Sequence, residues 1–139
     1  MGDSDVLKAL ARLMLGWLYV YFGYIKLAVF GIAGTTGYME SLHLPMPAIA
    51  AVAAIVIELG LGTVFVLGLC TRWLALLFTL YSVVTAVTGH QYWTMTEMMP
   101  HLDAMEHFWK NVAIAGGFLM FFIYPRCSIS LDRLLFKNN

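Results

Sequence analysis

The sequence has 139 residues, of which 61% are hydrophobic and 12% charged, and its formal net charge at pH 7 is zero. Soluble domains are about half apolar and about a quarter charged, so this composition, with a mean hydropathy of +0.81, excludes an ordinary soluble domain and indicates an integral membrane protein. The zero net charge excludes the basic surface that binds nucleic acid, and the length predicts a single transmembrane domain, residues 1–139.

Four apolar runs predict the helices. They cover about residues 7–30, 47–69, 72–90 and 107–125, and each approaches the ~20 residues that cross a bilayer as a helix. The sequence lacks the period-two pattern of a membrane barrel, so the predicted fold class is all-α, an integral membrane four-helix bundle. The first run is longer than the apolar part of a signal peptide, so we expect it to be retained.

The connections are predicted from their composition. The Gly- and Thr-rich residues 31–37 are expected to end the first helix, and Pro47 is expected to open the second. The segments 31–46 and 91–106 are predicted to lie at the outer membrane surface, because they contain no Lys or Arg. The positive-inside rule then places both termini in the cytoplasm. The basic residues on that side are Lys8, Arg12, Arg72, Arg126, Arg133 and Lys137.

Polar and small residues of the first helix share one face. Those that recur at steps of three and four are Arg12, Gly16, Tyr19, Gly23 and Lys26. The glycines predict the close approach of another helix. Glu58 lies ~16 Å below the outer start of the second helix, near the middle of the bilayer. Charges at that depth cost a few kcal/mol by insertion scales, which makes them candidate functional groups.

Lys26 is the predicted partner of Glu58. Two interpretations stay open, a buried ion pair that fixes helix register and a coupled site that takes up or releases one proton as a unit. His90 and Lys110, at the outer ends of the third and fourth helices, complete the candidate catalytic set.

Other polar residues are predicted to be structural. Arg12 is expected to reach the membrane surface with its guanidinium or to pair with Asp132. The four histidines follow no compact metal-ligand spacing, so we predict no metal site. The sequence contains no haem, iron–sulfur or nucleotide motif.

Five pieces of the sequence follow one another in a specific order: RLMLGWLYVYFGYIKL, LHLPMPAIAAVAAIVIELGLGTVFVLGLCTRW, GHQYW, KNVAIAGGFLMF and SISLD. As an ordered set, with a glutamate inside a helix and a Gly-x-Thr-Arg-like turn from Gly68 to Arg72, they resemble the DoxX family of small four-helix membrane proteins. The acidic, Met-rich residues 94–106 are less typical of that family. The residues that match its polar positions are Arg12, Lys26, Glu58, His90, Lys110 and Asn111.

The resemblance implies a four-helix transmembrane bundle in the cell membrane. Some members of the family are quinone-reducing subunits of thiosulfate:quinone oxidoreductases or partners in membrane redox complexes. Distant relatives are non-catalytic chaperones or cargo receptors, so the fold does not settle the activity.

The first functional hypothesis is a membrane subunit of a redox complex, with a quinone-type or other small-ligand site in the outer half of the bundle. A quinone needs an apolar slot and proton donors near its oxygens. The predicted ligand-binding residues are Tyr19, Phe22, Tyr81, Trp109 and Asn111. Because the sequence has no electron-carrying motif, a protein partner would have to deliver the electrons.

Two alternatives stay open beside it. In a non-catalytic assembly or chaperone-type subunit, the ion pair specifies the bundle and residues 94–106 contact another protein. A small-solute or proton carrier is less favoured, because the sequence lacks the inverted repeats of many transporters. Membrane lipid, a protein partner and a homo-oligomer are the expected partners, and whether the chain is an enzyme stays open.

Overall fold

The computed structural model describes residues 3–135. These residues form helices and turns without a strand, which confirms the all-α membrane class. The helices are α1 (Asp3–Tyr24), α2 (Gly31–Ser41), α3 (Pro47–Ile55), α4 (Gly62–Leu67), α5 (Thr71–Gly89), α6 (Met98–Ile123) and α7 (Leu131–Leu135). A first π segment (Ile25–Phe30) continues α1, and a second π segment (Val56–Leu61) joins α3 to α4. Lys137, which supports the predicted orientation, lies outside the described residues.

Three stretches are long and apolar enough to cross a membrane. They are Ser4–Val29, Pro47–Leu67 and Thr71–Thr94, and they correspond to the first three predicted spans. The fourth predicted span, 107–125, begins inside α6 and extends two residues beyond its end at Ile123; α6 has 26 residues and a polar first half. Membrane crossing by α6 and the cytoplasmic position of the termini stay predictions.

Within the described residues the chain forms two compact units. The first contains residues 3–71 and 126–135, and the second contains residues 72–125. In the first unit, α1 packs along α4 and the second π segment. The packing is close because glycines of α1 face the neighbouring helical segment: a Cβ atom on Gly23 would lie 2.4 Å from the backbone nitrogen of Leu59.

The ends of the second span follow from local sequence. Pro47 occupies the first turn of α3, as predicted. Gly68 has a φ of +74° and ends α4, and its N–H donates to the carbonyl oxygen of Phe65. Glycine is the residue that adopts this left-handed conformation without strain at a helix end.

The Gly- and Thr-rich stretch ends the first helix, as predicted. The first π segment, which continues α1, ends before Gly31, whose φ is +67°, and residues 31–41 then form a further helix, α2, which their composition does not predict. Met39 of α2 is buried in one cluster with Ala51 and Ala54 of α3. This tertiary packing overrides the weak helix propensity of the glycines and threonines.

In the second unit, α5 and α6 are in contact through their apolar faces. The rings of Phe78 and Phe118 stack with centroids 5.1 Å apart, and the Thr79 hydroxyl lies 3.4 Å from the carbonyl oxygen of Ala115. The connection predicted over 91–106 is helical from Met98 onward. Pro100 is compatible with this earlier start because it falls in the first turn, where its missing N–H has no intrahelical partner.

Arg12 and Asp132 do not form the predicted pair. Arg12 is 4% exposed, and its Nε and Nη2 atoms donate to the carbonyl oxygens of Val66 (3.1 Å) and Ile129 (2.6 Å). The Asp132 carboxylate accepts instead from the backbone N–H groups of Cys70 and Thr71. Carbonyls near a helix end lack intrahelical partners and attract a cation, so backbone groups replace the expected carboxylate.

Candidate functional site

The candidate site is the ion pair between Lys26 and Glu58. Lys26 Nζ lies 2.6 Å from Glu58 Oε2, and the two side chains are 17% and 6% exposed. The predicted pairing is therefore confirmed. A buried pair with one short charge-assisted hydrogen bond is held much more tightly than a surface pair.

Both members of the pair belong to π-helical segments. Lys26 lies in the first π segment and Glu58 in the second. A π turn is rare and occurs frequently at functional sites, where it changes the direction of a side chain within a helix. The steps of three and four in the sequence correctly predict that Lys26 lies on the helix face turned to Glu58. They do not predict the π turn, because they are the spacing of a regular α-helix.

Gly23 brings the two backbones together beside the pair. A Cβ atom on Gly23 would lie 2.9 Å from Glu58 Cβ and 2.4 Å from the backbone nitrogen of Leu59. No real Cβ atom approaches backbone this closely, so only glycine fits. The close approach helps to bury the Glu58 side chain. Because a buried carboxylate without a partner is costly, the bond to Lys26 is needed there.

Aromatic groups border the Lys26 end of the pair. Lys26 Nζ lies 5.9 Å from the centroid of the Phe22 ring, within cation–π range. Phe22 is exposed, and Tyr19, one turn earlier in α1, is buried. Both were predicted as ring contacts, and the structure places Phe22 against the ammonium group.

Tyr38 of α2 is a neighbour of Glu58 that sequence reasoning missed. Partial burial raises the pKa of the Tyr38 phenol, and the negative charge of Glu58 raises this pKa further. The sequence predicts only that the segment 31–46, which contains Tyr38, lies at the outer membrane surface. The fold of α2 back onto α3 brings this phenol into the electrostatic range of the pair.

The other predicted site residues belong to the second unit. The imidazoles of His90 and His107 stack with centroids 5.1 Å apart. Lys110 forms an exposed ion pair with Glu106 on its own helix at 2.8 Å, and this hydrogen bond lowers the pKa of the Glu106 carboxyl. Trp109 is exposed, whereas Tyr81 and Asn111 are half-buried. The predicted roles of these residues in a ligand site stay predictions.

Across residues 3–135, no three His, Cys, Asp or Glu side chains come together in an arrangement that could hold a metal ion.

Comparison with known proteins identifies the family. The DoxX family model matches residues 7–91, more than half of the chain. The chain is 45% identical over 130 residues to inner membrane protein YphA of Escherichia coli K12, which covers 92% of this chain and 89% of that protein. It is 33% identical over 135 residues to inner membrane protein YqjF of the same organism, which covers 97% of this chain and 96% of that protein. No solved structure matches the chain.

These similarities agree with the three apolar helices described above. They confirm the predicted location, a multi-pass protein of the cell membrane. The chain belongs to the DoxX family.

Proposed function

We propose that this protein is a membrane subunit of a redox complex and that Lys26 and Glu58 form the polar floor of a site for a quinone or a similar small amphiphilic ligand. The observation that carries the proposal is the buried ion pair whose two members each belong to a π segment. Intramembrane charges are retained mainly where they serve a ligand, a proton path or helix specificity.

The exposure of the pair indicates how a ligand would reach it. The Lys26 side chain retains almost three times the fractional exposure of Glu58, so Lys26 is the more accessible member of the pair. The Lys26 ammonium group has three donors, and one of them is used by Glu58. The exposed Phe22 ring beside it offers an apolar surface, which together with free N–H donors fits a quinone ring and its carbonyl oxygens.

The chain's own residues would bind and protonate the ligand. Lys26 would donate a hydrogen bond to a ligand oxygen, and Glu58 would supply or accept a proton through the shared hydrogen bond. Reduction of a quinone to a quinol needs two electrons and two protons. The sequence has no electron-carrying motif, so the proposal includes a protein partner with a redox centre.

The test is retention of a quinone by the protein in native lipid nanodiscs. Wild-type protein should retain endogenous quinone, detected by mass spectrometry, and should bind added decylubiquinone. Glu58→Gln and Lys26→Met should each weaken binding about tenfold or more, since a hydrogen bond to a charged group contributes ~1.5–3 kcal/mol. Glu106→Gln, which removes an exposed ion pair, is the matched control and should bind normally. Folded wild-type protein that binds no quinone would refute the proposal.

A second function, that of an assembly subunit, is favoured by one surface. The segment 94–106 exposes large flexible side chains, with Met98 and Met99 76% and 74% exposed. Methionine-rich surfaces adapt to different protein partners. If this function is the correct one, scrambling residues 94–106 will abolish a defined complex on a native gel, while Glu58→Gln will lower only the amount of protein.

A further inference from the structure

The hydroxyl group of Thr35 contacts the backbone that carries Lys26. Thr35 lies in α2 and is 1% exposed, and its Oγ1 donates to the carbonyl oxygen of Lys26 at 3.0 Å. The next residue, Thr36, behaves differently, because its hydroxyl donates to Ile32 within its own helix. The bond of Thr35 therefore joins α2 to the first π segment.

The Lys26 carbonyl lies in the first π segment, shortly before the helix is interrupted at Gly31, whose φ is +67°. A π turn is rare and wider than the regular α turn, so a bond from outside the segment helps to hold it. A buried hydroxyl that donates there stabilises the irregular turn. Loss of the hydroxyl would leave the carbonyl without this partner, which costs more than an exposed hydrogen bond.

Packing fixes the position of the Thr35 hydroxyl. Four residues further along α2, Met39 is buried against Ala51 and Ala54 of α3. Thr35 and Met39 are therefore on one face of α2, which is turned inward. The contact with α3 holds α2 in place, and Thr35 holds the turn that carries Lys26.

We propose that Thr35 is a positioning residue of the ion pair: its hydroxyl holds the first π segment in the conformation that places Lys26 Nζ on Glu58. The expected effect of Thr35 on ligand binding rests on the proposed function. The expected effect of Thr35 on the ion pair does not depend on any ligand.

The experiment measures the ion pair directly by solid-state NMR of the full chain in lipid. With lysine labelled at ¹⁵Nζ and glutamate at ¹³Cδ, two Lys–Glu cross peaks are expected, from Lys26–Glu58 and from Lys110–Glu106. Glu58→Gln and Glu106→Gln assign them. The Lys110–Glu106 peak is the internal control in each spectrum.

Thr35→Val, which keeps the shape but removes the hydroxyl, should abolish the Lys26–Glu58 peak. Thr35→Ser should restore it, and the matched control Thr36→Val should leave it unchanged. Decylubiquinone binding should fall about five- to tenfold in Thr35→Val, the equivalent of one hydrogen bond. If Thr35→Val does not fold, Thr35→Cys, whose thiol is a weak donor, takes its place.

A Lys26–Glu58 peak that survives in Thr35→Val overturns the inference, as does equal loss in Thr35→Ser. Neither result affects the proposed function, which is decided by whether wild-type protein binds quinone and Glu58→Gln does not. Wild-type protein that binds no quinone, with the peak lost in Thr35→Val and restored in Thr35→Ser, would refute the function and support the positioning role.

Discussion

Lys26 and Glu58 are 32 residues apart in the sequence, and their charged atoms lie 2.6 Å apart in the fold. Each belongs to a π segment, and Gly23 allows the two backbones to meet beside them. The first π segment is bonded in turn to the buried hydroxyl of Thr35. The pair is therefore held by backbone geometry as well as by charge.

The stability of the pair can be separated from its function by a double variant. Glu58→Gln leaves the Lys26 charge buried without its carboxylate and should lower the free energy of unfolding by about 3–5 kcal/mol. Lys26→Met/Glu58→Gln removes both charges and should recover much of that loss. Thermal unfolding in lipid nanodiscs measures both effects, and Glu106→Gln should leave Tm unchanged. A double variant that is stable yet does not bind quinone supports the ligand role of the pair; one that still binds quinone contradicts it.

Gly23→Ala should separate the helices. The new Cβ atom would lie 2.4 Å from a backbone nitrogen, and backbone cannot move aside as a flexible side chain can. We expect a loss of about 1–3 kcal/mol in the free energy of unfolding, the usual range for overpacking. The control is Gly60→Ala, because a Cβ atom on Gly60 would meet nothing within 4 Å. Equal Tm values for the two variants would contradict the packing described for Gly23.

Asp132→Ala should loosen the start of α5. The carboxylate accepts from the N–H groups of Cys70 at 2.7 Å and Thr71 at 2.9 Å, as a capping residue does. Its loss should cost about 0.5–2 kcal/mol, the range for helix caps. Hydrogen exchange of these two amides should accelerate. Asp103→Ala, which removes a carboxylate with a 76% exposed side chain, should leave their exchange unchanged.

The pKa of Tyr38 should depend on Glu58. Burial and the negative charge of Glu58 both raise this pKa, so Glu58→Gln should lower it part of the way towards its ordinary value. NMR of ¹³Cζ-tyrosine measures the titration, with Tyr38→Phe to assign the signal. Glu40→Gln, which changes an exposed carboxylate of the same helix, is the control and should not shift it.

The same shift fixes the sign of a pH effect on stability. The pKa of Tyr38 is higher in the folded protein than in the unfolded chain, where it is about 10. Proton binding by Tyr38 therefore favours the folded protein. This contribution to the free energy of unfolding is fully present below the pKa of the unfolded chain and is lost as the pH rises through the higher pKa of the folded state. Tyr38→Phe should remove this part of the decrease in stability at alkaline pH. An identical pH dependence of Tm in Tyr38→Phe would contradict the assignment.

The sequence predicts those features that follow from periodicity and from helix breakers. Steps of three and four place Lys26 and Gly23 on one face, depth along the second helix places Glu58 opposite them, and Pro47 opens that helix. These features depend on local pattern and on the rule that buried charges pair, so they can be derived without a structure.

The features that the sequence does not predict depend on tertiary contact. Residues 31–41 have a composition typical of a loop, and they are helical because Met39 packs on α3. The π segments have no periodic signature. Arg12 was expected to reach the membrane surface or to pair with a carboxylate, but it is buried and bonds backbone carbonyls at 2.6 and 3.1 Å. Opposite charges in the sequence do not reveal such backbone acceptors.

The bonds of Arg12 have a consequence for biosynthesis. One of its two carbonyl partners, that of Ile129, is translated 117 residues after it. While the ribosome is still making the intervening helices, α1 already carries a guanidinium that lacks this acceptor. The bond between the Arg12 guanidinium and the carbonyl oxygen of Ile129 can form only after helices α2 to α6 have been translated. The contact between α1 and the segment after α6 is therefore completed late in synthesis.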